Sequence, residues 1–287
     1  MHCKLNLSRT TFFIAITLIF FAACKPAPSP NPVPTDNDDN GGFASDASRI
    51  ELVNNDVISL ADAAGSLYNG AYMKATHTTL GACALVGHDT DNTLGLHTLT
   101  IYFGDKDCKC LDGRNRRGSI IINYYGNYPD SLQPHVITFS NYYVNDNNLT
   151  GSITCTRIDT TVVGNWYYQV SVNDTLNMSP DPLNSQWVIW NGTLVRKWIA
   201  GYATNDRSDD VFSVSGSANL TRPNGHQFTF NISSALQFAL NCDYAESGVV
   251  NVNGLAGARI LNYGGGNCDA LAQITIGAVV NGVNLTK

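Results

Sequence analysis

Thr98-Leu99-Thr100-Ile101-Tyr102-Phe103 alternates polar and apolar residues one for one, and this period of two recurs to the end of the chain. Successive side chains of a strand point to opposite faces, so the pattern reads as a sheet with one apolar and one polar face. Similar runs cover 120–124, 136–144, 149–158, 167–176, 187–199, 211–221, 227–238, 249–252, 259–263 and 272–280. The gaps are short. Asn145-Asp146-Asn147-Asn148 and Pro223-Asn224-Gly225 supply residues that tolerate left-handed turn geometry. Parallel strands would need long crossovers, so pairing is antiparallel.

The expected fold is mainly β, an antiparallel meander of about a dozen strands. It forms a strongly curved sheet, barrel-like or sandwich body, with one N-terminal helix packed on it. That helix is expected over 44–68, capped by Ser45 or Asp46. Ile50, Val53, Val57, Leu60 and Ala61 give it an apolar stripe at three- and four-residue spacing. The favoured arrangement sets the helix against the concave side of the meander. Residues 44–287 form a single domain, long enough to bury a sizeable core.

Upstream, Lys4 and Arg9 precede an apolar run ending in Phe21-Ala22-Ala23-Cys24. The run is too short to span a bilayer comfortably, which takes ~20 apolar residues. Residues 1–23 read as an export signal cleaved before Cys24, with lipid on that sulfur. Residues 24–43 read as a flexible tether. Its prolines 26, 28, 30, 32 and 34 favour extended conformations. Asp36-Asn37-Asp38-Asp39-Asn40-Gly41 starts like a calcium loop, but Ala47 stands where the bidentate glutamate belongs. The expected location is the cell envelope, lipid-anchored through Cys24 to the outer membrane, on either its surface or its periplasmic face.

The formal net charge is −6, and loss of the basic leader makes it more negative still, which argues against a nucleic-acid partner. Cys83, Cys108, Cys110, Cys155, Cys242 and Cys268 remain after Cys24, and in an exported chain six thiols read as three disulfides. An aromatic-Gly pair at 103–104 precedes Cys108 by the same spacing as the pair at 263–264 precedes Cys268. Isoleucine-rich strands follow both. This weak internal duplication pairs Cys83 with Cys108 and Cys242 with Cys268, leaving Cys110 for Cys155. The Cys108-Lys109-Cys110 spacing is too tight for a zinc site.

No nucleophile elbow, zincin motif, phosphate loop or dinucleotide fingerprint is present. The reading assigns no catalytic residue, metal or cofactor. Arg114, Arg116 and Arg117 form the one basic cluster, a fork able to hold a carboxylate or phosphate or else a charged hairpin turn. Trp190, with the other tryptophans, could stack on sugar or pack in the core. His88-Asp89 reads as a polar loop, and Asp206, Asp209 and Asp210 as a solvated one.

Several segments together resemble uncharacterised β-rich cell-envelope lipoproteins of Bacteroidota. They are 99–104 with Cys108, 112–118, 120–122, 137–145, 199–201, 209–211 and 262–269. The likeness covers most of 44–287. It implies envelope location and the same fold class, and it brings no activity. The expected function is that of a non-enzymatic binding or structural module, its partner a glycan or another envelope protein. The alternative is a polysaccharide-acting hydrolase with dispersed carboxylates.

Overall fold

The computed structural model describes residues 42–68, 84–126, 128, 133–158, 167–178, 186–201, 203–204, 207–254 and 257–285. The leader, Cys24, the tether up to residue 41 and Cys83 lie outside these.

Helix α1 spans Gly42–Tyr68. Fourteen strands follow among the described residues: β1 Leu85–Asp91, β2 Leu96–Tyr102, β3 Cys108–Lys109, β4 Asn115–Tyr125, β5 His135–Val144, β6 Asn147–Ile158 and β7 Tyr167–Asn177. Then come β8 Trp187–Ala200, β9 Val211–Thr221, β10 Gln227–Ala239, β11 Ser247–Gly254, β12 Gly257–Gly265, β13 Leu271–Ile276 and β14 Val279–Asn284. They form one antiparallel sheet in chain order. The two-residue β3 stands aside and pairs only with β4. The sheet is strongly curved and does not close, which decides among the curved, barrel and sandwich alternatives. Two strands exceed the expected dozen. His88-Asp89 lies within β1 rather than a loop. The expected strand over 272–280 is two, broken where Gly277 turns with φ +59°.

The turns follow their residues. Asn145 and Asp146 both take positive φ, 46° and 63°, and join β5 to β6 through the tight hairpin geometry that asparagine tolerates. Register shifts in β4, β5, β8, β10 and β11 mark bulges, which bend strands and help the sheet curl. At the β4 bulge Gly118 has φ +80°, and a Cβ there would lie 1.9 Å from the Asn141 carbonyl oxygen. Only glycine fits.

The helix is enclosed rather than laid on one face. Its apolar stripe is buried as expected, yet Ser48, Glu51, Asn54, Asp56, Ser59 and Asp62 are buried too. α1 meets β2 and β4 near one edge of the sheet, β8 in its middle and β14 at the other edge. It starts at Gly42, so Ser45 and Asp46 lie within the helix and do not cap it. The Ser45 hydroxyl donates to the Asn284 carbonyl at 3.2 Å, and Asp46 pairs with Arg222 at 2.9 Å. Phe43 stacks on Phe228 with ring centres 4.9 Å apart.

Along β7, Tyr168, Val170 and Val172 face inward while Gln169, Ser171 and Asn173 face water. This is the reverse of a lipid-facing barrel, whose outer band is apolar. No described helix is long and apolar enough to cross a membrane.

Cys242 and Cys268 are joined, with Cα atoms 5.6 Å apart. Cys108 is disulfide-bonded. The expected Cys110–Cys155 bond is absent, and both thiols are free and buried. Register explains it. Cys108 lies opposite Arg116, which lies opposite Val144 at one end of the ten-residue β5, whereas Cys155 lies opposite His135 at the other. That separates them by ~30 Å, and a disulfide needs Cα atoms within ~7 Å. Trp190 is no sugar platform. It points inward from β8, fully buried, with its ring 5.2 Å from that of Phe230.

Phe43→Ala should cost ~3–5 kcal/mol, because it removes a fully buried ring and leaves a cavity between α1 and β10. The paired change Cys242→Ser with Cys268→Ser should cost ~2–4 kcal/mol. Urea unfolding of each variant measures both.

Candidate functional site

At one end of the sheet the β3–β4 turn, the β5–β6 turn and the loop after β10 meet one side of α1. Between them lies a cleft of about 310 Å³. Leu52, Val53 and Val144 supply its apolar surface. Arg49, Asp56, Asp112, Arg114, Asn147 and Asp243 supply its polar groups.

Strand alternation divides the expected arginine fork. Arg114 and Arg116 face the interior, and Arg117 faces out. Arg116 is fully buried. Its Nη2 donates to both Asp56 oxygens, at 2.8 and 2.7 Å, and to Asp112 Oδ2 at 2.6 Å. Its Nη1 donates to Asp112 Oδ1 at 2.9 Å. Arg114 spans the cleft, donating to Asp56 Oδ1 at 2.7 Å and to Asp243 Oδ1 at 2.9 Å. Arg117 binds Asp107 and Asp146 and lies over the Tyr143 ring, 3.8 Å from its centre. The three arginines are therefore matched by the chain's own aspartates and do not form a vacant anion fork. Burial alone would raise the Asp56 carboxyl, but Arg116 and then Arg114 outweigh it and hold it below its ordinary value.

A second polar group of residues is sealed inside. Tyr128 donates to Asp62 Oδ1 at 2.8 Å. Arg196 donates to Asp62 Oδ2 at 3.2 Å and to the Ser59 hydroxyl at 2.9 Å. His135 and Cys155 face each other across β5 and β6 beside this network. Cysteine, histidine and aspartate thus converge, but not as a nucleophile. Burial pushes the Cys155 thiol well up and lowers His135 to about 4, so the pair stays neutral and out of reach of substrate. Burial also raises Glu51 on α1 to about 8, and raises Asp174 on β7 well above its ordinary value, against the opposing contact of Asn54.

Asp56 and Asp112 each place an oxygen within 2.7 Å of the same guanidinium nitrogen, and Asp243 stands across Arg114. Carboxylates do converge in the cleft. Glycoside hydrolysis, however, needs one carboxyl group kept protonated in an apolar setting as the acid. Here all three are bonded to guanidiniums, and the two carboxyls raised by burial lie in the interior. Asp209 is exposed and bound by Thr204, while Asp210 is buried, so those two form no cluster. Asp206 and Trp166 lie outside the described residues.

The sequence signal for the cleft was the turn at 112–118. Its missing half was Asp56, some sixty residues earlier on α1. An arginine at an inward strand position, such as Arg196 two residues after Leu194, is the pattern that could have revealed the buried pairing.

No protein-family profile, curated protein or solved structure matches the chain.

Arg116→Met should destabilise by ~3–5 kcal/mol, because it strands Asp56 in the interior without its main partner. Adding Asp56→Leu should recover part of that loss, as a double-mutant cycle in denaturant will measure. Glu51 gives a pH signature. Below its ordinary value of 4.5 the carboxyl is protonated whether the chain is folded or not. Between there and about 8 only the unfolded chain releases the proton, so stability falls as pH rises through that window. Glu51→Gln should flatten the fall and add more than about 1 kcal/mol at pH 8, which thermal melts at pH 5 and pH 8 will show.

Proposed function

We propose that this chain is a non-catalytic binding module of the cell envelope, lipid-anchored through Cys24, and that its ligand is an uncharged glycan held in the cleft beside Arg114. The observation that carries the proposal is the lining. Arg49, Arg114 and the adjoining Arg116 balance Asp56, Asp112 and Asp243, so no net charge selects an ionic ligand. Planar carboxylate, guanidinium and amide groups suit paired hydroxyls, and Leu52, Val53 and Val144 offer an apolar surface to sugar C–H groups. The volume lies at the low end of the ~300–1,000 Å³ usual for ligand pockets. The resemblance to β-rich envelope lipoproteins, the leader ending at Cys24 and the proline-rich tether support the location. The hydrolase alternative is weaker, because each carboxylate of the cleft is bonded to an arginine.

A glycan array probed with the full chain tests this. Leu52→Trp fills the cleft from the helix side and should abolish binding to the recognised class. Gln169→Trp, which adds the same ring to the outer face of β7, should leave binding intact. Binding that survives Leu52→Trp removes the cleft as the site, and the absence of binding to any glycan removes the ligand class.

A further inference from the structure

β14, Val279-Val280-Asn281-Gly282-Val283-Asn284, is the last strand of the unclosed sheet, and among the described residues no strand pairs with its outer side. Its backbone groups alternate in direction. Leu285, next in the chain, donates to the Ala270 carbonyl, whereas the Asn284 carbonyl turns away from β13 and accepts from the Ser45 hydroxyl. The alternation of an antiparallel ladder then sends the N–H and C=O groups of Asn281 and Val283 to β13 and those of Val280 and Gly282 outward.

The outermost strand of a monomer is normally guarded against pairing by charge, proline or a bulge. β14 has none of these, and its register with β13 is unbroken. β1, at the opposite margin, carries His88, Asp89 and Asp91. Apolar groups also gather at the β14 margin. Ile260, Leu271, Val279 and Val280 are between 45 % and 62 % exposed, and Ile260 and Val280 lie in one outward row through Thr275.

The strand is also its own complement. On the inner face it reads the same in both directions about Asn281, with Val279 two residues before and Val283 two residues after. An antiparallel copy related by a twofold axis at Asn281 sets Val279 against the partner's Val283 and the two Asn281 amides against each other. On the outer face Val280 lies against the partner's Gly282, where there is no side chain and open space around the Cα. In this register Val280 and Gly282, the residues whose backbone groups point outward, fall opposite each other on both sides of the axis and exchange N–H···O bonds. Backbone direction and side-chain match are independent, and both are satisfied by the same register.

We infer that the chain forms a closed dimer with a second copy of itself through β14, the two sheets joining antiparallel about Asn281. A twofold contact uses one surface on both copies and stops at two chains, whereas β14 on the β1 strand of another copy would propagate. No residue lining the glycan cleft lies on β14, so dimerisation and glycan binding can fail separately.

Sedimentation equilibrium of the full chain in density-matched detergent, over a concentration series, provides the test. The expected result is the mass of two chains. Like charges directly opposite each other destabilise a strand pair. Asn281→Asp and Asn281→Lys, at an exposed position, should therefore each weaken association at least tenfold, and an equimolar mixture of the two variants should recover the dimer. Leu85→Lys, which adds a charge at the opposite margin, should leave the dimer intact. A single-chain mass for the wild type at every concentration, a mass that grows beyond two chains, undiminished association of either Asn281 variant, or a mixture that stays monomeric would each overturn the assignment.

Discussion

Asp56 sits inside the protein with both oxygens on Arg116 and a third contact from Arg114, and the rest of the architecture has to accommodate that burial. Moving an ion out of water costs several kcal/mol unless partners replace the lost hydration. A helix that carries Glu51, Asp56 and Asp62 inward can be enclosed only if the sheet brings guanidiniums to meet them or leaves a carboxyl protonated. Both solutions occur. Arg116 and Arg114 meet Asp56, Arg196 meets Asp62, and Glu51 lies where burial favours its neutral form. The sheet is thus more than an apolar wrapper, because its inward arginines set which turn of the helix each strand faces.

The same pairing shapes the cleft. Arg114 holds the helix and the loop carrying Asp243 at once, so the walls are fixed relative to one another by charge as well as by packing. A pre-formed site of this kind loses little ordering entropy when a ligand enters.

Much of the fold was legible in the residues, because a two-residue period with asparagine and glycine turns leaves few alternatives. The Asn145-Asp146 turn, the Pro223-Asn224-Gly225 turn and the uninterrupted strand 211–221 appear where the sequence places them. What stayed hidden is non-local. Curvature arises from bulges such as the one at Gly118, which depend on close approach to Asn141 on the neighbouring strand. The cleft depends on helix residues far from the arginine turn in the chain. Cys110 and Cys155 illustrate the same limit, since elimination among thiols says nothing about which end of a strand each occupies. The paired β2 and β4 and the paired β12 and β13 repeat one layout, with Gly104 and Gly264 both at positive φ ahead of a disulfide cysteine. One pair lies near each margin of the open sheet.

The enclosed helix also dictates an order of events. α1 precedes every strand in the chain, yet its partners at Arg196 and the bridging contact of Asp243 lie well over a hundred residues downstream. The strands pair with their neighbours and can zip up as they emerge, since local contacts form fastest. Asp56 can meet Arg114 and Arg116 once β4 is made, whereas Asp62 waits for Arg196 on β8. Only the contacts at the far edge, such as the Ser45 hydroxyl on the Asn284 carbonyl at β14, need the end of the chain.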